Sequence, residues 1–194
     1  MKKILFAVIA SAAIGGISSA YAADNGAYIG AGVVGSRYNM DAPGAIGGDD
    51  SGTKAAGKIF GGYNFNKTWA IEGGYTDFGS QTRDYTNAAG APGHLESDSH
   101  SFYVAGKGTW PINEQFNVFG KLGAARNHNS VDTAGVANGL GGSGNKTAVY
   151  ASVGAEYVIN RQVSVSLEYE NYGKNDIDIG RKQGAITAAV AYHF

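Results

Sequence analysis

Residues 163–170 alternate without a break: Val163, Val165, Leu167 and Tyr169 on one parity, Ser164, Ser166, Glu168 and Glu170 on the other. Successive side chains of a strand point to opposite faces, so the stretch forms a ribbon with one apolar and one polar face. Residues 184–194 repeat the pattern. Ile186, Ala188, Val190, Tyr192 and Phe194 stand against Ala185, Thr187, Ala189, Ala191 and His193. The last residue is aromatic, as the end of a strand seated in lipid can be. Beyond the N-terminus no run of about 18 apolar residues occurs, which argues against membrane-spanning helices.

Six further stretches obey the same period. Residues 28–37 carry Ile29, Ala31, Val33 and Gly35 on one face. Residues 55–65 carry Ile59, Gly61, Tyr63 and Phe65, with Lys58 opposite. Residues 68–78 alternate Trp69, Ile71, Gly73 and Tyr75 with Ala70, Glu72, Gly74 and Thr76. Residues 98–110, 115–126 and 145–158 follow suit, placing Lys107, Lys121 and Glu156 on the polar parity. Strands of about ten residues suit a tilted membrane crossing. Long polar connections (38–53, 79–97, 127–144, 173–182) alternate with short ones (66–67, 111–114, 159–161), the first read as a two-residue hairpin. Backbone groups in hydrocarbon must all be paired, so such a sheet has to close on itself. The expected fold is therefore all-β, an eight-stranded antiparallel transmembrane up-and-down β-barrel.

Alternation alone does not say which face looks outward, since a soluble lipocalin-like barrel would turn its apolar face inward. Large rings and charges separate the two. On the apolar parity, Phe65, Trp69, Trp110, Phe116, Tyr157 and Phe194 all lie beside short turns or at the C-terminus. That is the pattern of a periplasmic aromatic girdle at headgroup level. Tyr75, Phe102 and Tyr169 form a sparser set at the other rim. Arg37, Asp77, Asp98 and Arg126 share the apolar parity but sit only at long-loop ends, whereas Lys58, Glu72, Lys107, Lys121, Glu156 and Glu168 are mid-strand on the other parity. A lipid-facing lysine or arginine at mid-membrane would cost about 2–4 kcal/mol.

Targeting agrees. Lys2 and Lys3 precede an apolar segment over residues 4–17, and Ala20-Tyr21-Ala22 has the small-x-small form of a cleavage site. Residues 1–22 are expected to be a cleaved signal peptide and residues 23–194 the barrel domain. Without residues 1–22 the chain has 13 bases against 16 acids, a formal net charge of −3, which does not suit a nucleic-acid partner. No cysteine is present, so neither a disulfide framework nor a thiolate metal site is expected. No metal and no cofactor is implied.

Gly120-Lys121-Leu122-Gly123-Ala124, Gly154-Ala155-Glu156-Tyr157, Ser166-Leu167-Glu168-Tyr169 and the terminal aromatic, in this order and spacing, resemble the transmembrane domain of OmpA-type and opacity-type outer-membrane proteins. The likeness covers residues 27–194. It implies both termini in the periplasm, four loops outside a Gram-negative cell, and a monomer surrounded by outer-membrane lipid and lipopolysaccharide. It implies that Tyr192 and Phe194 form the signal read by the barrel-assembly machinery. It implies a lumen charge network of Glu72, Lys107, Lys121, Glu156 and Glu168. Ser166 stands where the family often has arginine. Neither the peptidoglycan-binding domain of longer members nor its tethering role is expected here.

The expected function is structural and surface-exposed: envelope integrity, with loops presented for adhesion, and no catalysis. A small porin-like channel is the alternative. A lipid-active outer-membrane enzyme is a third, because His128-Asn129-Ser130 has the His-x-Ser spacing of lipid A deacylases and His100 lies near Asp98. General-base chemistry needs the histidine within reach of its nucleophile, and these residues fall in or beside an expected loop. Arg37 and Arg126 have the geometry to meet lipopolysaccharide phosphates.

Overall fold

The structure is a computed structural model and describes residues 25–40, 50–86, 92–135, 142–173 and 181–194, with side chains described at 25–36, 55–80, 98–130, 143–173 and 184–194. The expected signal peptide lies outside the described residues. Eight strands follow in order: β1 Gly26–Met40, β2 Asp50–Asn64, β3 Trp69–Thr86, β4 Pro92–Pro111, β5 Phe116–Gly135, β6 Gly142–Val158, β7 Val163–Asn171 and β8 Arg181–His193. Each pairs antiparallel with its neighbours in sequence, and β8 closes the barrel onto β1. The eight expected strands are all present.

Exposure decides the facing. Ile29 (57%), Leu122 (67%) and Val153 (62%) lie bare on the outer surface, while Lys58, Glu72, Lys121 and Glu170 are buried inside. A soluble barrel would show the reverse. The exposed apolar band, ringed by Phe65, Trp69, Trp110 and Phe116 at the short-turn end, is a lipid-facing surface. Tyr157 completes that ring, packed edge-on against Phe116 at 5.1 Å, and Tyr192 meets Phe194 at 5.2 Å.

Three short connections share one device. Phe65-Asn66-Lys67-Thr68, Ile112-Asn113-Glu114-Gln115 and Ile159-Asn160-Arg161-Gln162 each join two strands. In each, the asparagine Oδ1 accepts from the backbone N–H groups two and three residues on. The distances are 2.9 and 2.8 Å for Asn66, 2.9 and 2.7 Å for Asn113, and 2.9 Å twice for Asn160. Asparagine is suited to this local bonding. The expected two-residue hairpin at 66–67 is thus corrected to a four-residue turn, closed by Phe65 N–H donating to Trp69 O at 2.9 Å.

The strands also run past their expected ends. β3 continues from Phe78 to Thr86, β4 begins at Pro92 rather than Asp98, and β5 extends from Arg126 to Gly135. Beyond the membrane both faces of a sheet meet water, so pairing persists without the apolar–polar alternation that reveals a strand. Pro92 sits at the first residue of its strand, where proline is tolerated.

At this end the wall divides. Pairing of β2 with β3 stops at Gly57–Asp77, and pairing of β6 with β7 stops at Ala151–Asn171. Two matching bends lie there, Asp77-Phe78-Gly79 and Asn171-Tyr172-Gly173. In each the first side chain accepts the glycine N–H at 2.8 Å, and the glycine has positive φ, 67° and 76°. Such a φ strongly favours glycine. Among the described residues, β3 to β6 then continue outward as a four-stranded sheet held by pairing only with one another.

Leu122→Arg, at mid-height on the lipid face, should lower the unfolding free energy in phospholipid vesicles by about 2–4 kcal/mol, and Thr147→Arg, at the outer rim, by no more than about 1 kcal/mol. Asn66→Ala, Asn113→Ala and Asn160→Ala should each cost about 1 kcal/mol and add nearly independently. Urea titration followed by tryptophan fluorescence measures all five variants.

Candidate functional site

The lumen is built from the polar parity of all eight strands. Among the described residues it holds three buried lysines, Lys58, Lys107 and Lys121, and four buried glutamates, Glu72, Glu156, Glu168 and Glu170. Buried charges are tolerated only when paired and hydrogen-bonded, and each of these is.

Near the short-turn end, Lys107 Nζ lies 3.0 Å from Glu156, whose other oxygen accepts from Asn117 at 3.4 Å. Below them Ser164 Oγ meets His193 Nε2 at 3.1 Å. At mid-height Lys121 bridges Glu72 at 2.7 Å and Glu168 at 2.9 Å. Glu72 also accepts from Tyr28 at 2.8 Å and Tyr103 at 2.5 Å. One step higher, Lys58 pairs with Glu170 and lies 3.5 Å from Glu168, while Glu170 further accepts from Tyr150 at 2.6 Å and from Thr187. The rings of Phe60 and Phe119 lie among the lysines, with Lys107 Nζ 4.6 Å and Lys121 Nζ 5.1 Å from the Phe119 centroid. Those distances are within the range of cation–π attraction.

Aromatic side chains fill the outer half. Tyr103 stacks on Tyr150 at 4.3 Å, Tyr172 meets Tyr150 edge-on at 5.2 Å, and Phe78 meets Tyr172 edge-on at 5.4 Å. Phe78 and Tyr172 are the middle residues of the two matching bends, so the turns that part the sheet also place two buried rings at the outer end of the lumen. Tyr172 is held there by its hydroxyl against Thr76 at 2.9 Å and by its carbonyl, which accepts from Asn127 at 2.9 Å. Large rings fit because glycines face them across the strand pairs. Tyr28 lies opposite Gly62 and Tyr103 near Gly74. A Cβ on either glycine would come within 2.5 Å of the ring.

The five expected network residues all face the lumen, in two groups: Lys107 with Glu156, and Glu72 with Lys121 and Glu168. Glu170 and Lys58 complete the second group. The period-2 signal already placed both on the lumen parity. Their pairing is long-range, Lys58 on β2 with Glu170 on β7, and nothing local in sequence announces it. The tyrosine partners were likewise not expected.

His128 and Ser130 lie within β5, not in a loop, and both are on the outward parity. His128 Nδ1 bonds Asn145 Oδ1 at 2.8 Å rather than the serine. Arg126 is exposed beside Phe102 on the outer face. The Arg37 side chain lies outside the described residues.

Residues 6–194 match the outer membrane protein beta-barrel domain family. Outer membrane protein P5 of Haemophilus influenzae is 31% identical over 156 residues, which cover 70% of this chain and 42% of that protein. The chain therefore spans less than half the length of this relative. Among solved structures, Ail, the attachment invasion locus protein of Yersinia pestis, aligns with a TM-score of 0.55 at 19% identity, covering 88% of this chain and 99% of its own. OprG of Pseudomonas aeruginosa aligns with a TM-score of 0.58 at 13% identity, covering 92% and 99%. These two likenesses are of fold.

Lys121→Met would leave Glu72 and Glu168 without their shared cation and should destabilise the barrel by about 3–5 kcal/mol. Adding Glu72→Gln to it should recover part of that loss, because the second change removes an unpaired charge. A double-mutant cycle in urea, with Glu72→Gln alone as the fourth corner, measures the coupling.

Proposed function

The chain belongs to the outer membrane protein β-barrel domain family, and from this premise we propose that it is a non-enzymatic barrel of the Gram-negative outer membrane that supports envelope integrity and offers its outer sheet for adhesion. One observation carries the proposal: ion pairs and stacked rings cross the lumen at successive heights. With the interior occupied by its own side chains, the surface becomes the working part. The four-stranded extension of β3 to β6, long and polar and standing clear of the lipid band, is the part a neighbouring surface would meet first. Residues 1–22 act as the signal peptide in this account. Tyr192 and Phe194 serve as the assembly signal at the β8 end, and Arg126 faces lipid phosphates at the outer rim.

A porin-like channel is the second reading. The observation in its favour is that Lys121 touches two carboxylates at once, so exchange between them could open a path. In planar bilayers the proposal expects no stepwise conductance from the purified chain. Steady openings that disappear on charge reversal at Glu72 or Lys121 would replace it with the channel. In whole cells, loss of the chain should raise detergent sensitivity and reduce attachment to coated surfaces, with lipid A acylation unchanged by mass spectrometry. Altered acylation would point to the enzymatic alternative.

A further inference from the structure

Above the outer-rim rings of Tyr75 and Phe102, four polar residues line up on four neighbouring strands. Asp77 on β3 pairs in register with His100 on β4, His100 with His128 on β5, and His128 with Asn145 on β6. All four belong to the outward parity. The two histidines are half-buried, and Asp77 and Asn145 are exposed. One step toward the sheet tip, the exposed Asp98 pairs with Ser130. One step toward the membrane, Phe102 pairs with Arg126. The imidazoles face solvent outside the barrel and take no part in the lumen network.

We propose that His100 and His128 bind one divalent transition-metal ion, zinc or copper, with Asn145 as a positioning residue. Imidazole nitrogen is a preferred ligand for both metals. An imidazole bound at about 2.0–2.1 Å puts its centroid about 3.2 Å from the metal, so two ligands at right to tetrahedral angles hold their centroids about 4.5–5.2 Å apart. The two rings stand at that spacing, 4.7 Å, but stacked, 29° from parallel, so their lone pairs do not converge as they stand. With His128 held on Asn145, turning the His100 ring about its broad side-chain torsions is the movement that would aim a nitrogen of each at one ion.

The hydrogen bond to Asn145 sets the available nitrogen. An amide oxygen only accepts, so Nδ1 of His128 carries the proton and Nε2 presents its lone pair. Holding the distal N–H on a fixed acceptor is how ligating histidines are oriented. Local charge favours a cation over a phosphate: Asp77 flanks His100 along its row and Asp98 lies two residues before it, while Arg126 stands one row below beside Phe102. No cluster of three or more His, Cys, Asp or Glu surrounds one point among the described residues. Water therefore completes the coordination of a two-nitrogen site. The sequence does not announce this pair, because the partners are 28 residues apart and meet only across the β4–β5 ladder.

The test uses the untagged full chain, refolded in detergent micelles and freed of metal. Zinc binding is followed by calorimetry and copper binding by electron paramagnetic resonance. The expected result is one saturable site per chain, with copper hyperfine structure from two nitrogens. His100→Ala and His128→Ala should each abolish the saturable transition, and Asn145→Ala should weaken it about tenfold. Circular dichroism and gel mobility confirm that each variant is folded. His193, shut in the lumen, stays in place as an internal control. The proposal is overturned if the native chain takes up no stoichiometric metal, if fewer than two nitrogens couple to copper, or if His100→Ala or His128→Ala binds as the native chain does.

Discussion

Hydrocarbon offers no partner to a backbone N–H or C=O, and that requirement organises the whole molecule. It forces the sheet to close, and closure of eight strands produces a lumen only as wide as side chains can fill. Whatever occupies the polar parity is thereby taken out of water. Among the described residues, the seven charged side chains inside consequently meet one another at short range and draw in Tyr28, Tyr103, Tyr150 and Thr187 as additional donors. Leaving any of those charges alone would cost several kcal/mol, so the network arises from closure and in turn makes it tight.

Filling the lumen depends on a second match between large and small. Tyr28 and Tyr103 lie inward where the facing strand supplies a glycine, Gly62 for Tyr28 and Gly74 for Tyr103. The outer end is filled by a different route. The Asp77-Phe78-Gly79 and Asn171-Tyr172-Gly173 bends turn the wall apart and drop their central rings over the lumen. The same local geometry thus separates the outer sheet from the barrel and places rings at the barrel's outer end.

The two ends differ because their surroundings differ. At the short-turn end, chain direction must reverse within a few residues at the lipid boundary, and asparagine, placed second in each of three four-residue turns, accepts from the turn's last N–H and the next strand's first. This repeat was legible in Phe65-Asn66-Lys67-Thr68 and its two counterparts, yet a reading centred on alternation passes over it. At the other end water lies on both faces, hydrogen-bonded ladders need no pattern, and β3 to β5 run well beyond where their alternation fades.

Strand number, parity, the lipid face, the aromatic girdle and the lumen side of Glu72, Lys107, Lys121, Glu156 and Glu168 were determined by sequence alone, because each is a property of neighbouring residues in one strand. Which lysine meets which glutamate, how far the outer sheet extends, how the lumen is capped, and that His100 and His128 stand side by side were decided only by the tertiary structure. Those facts depend on register between strands. Closure and turn length set that register, and no single stretch of the chain records it.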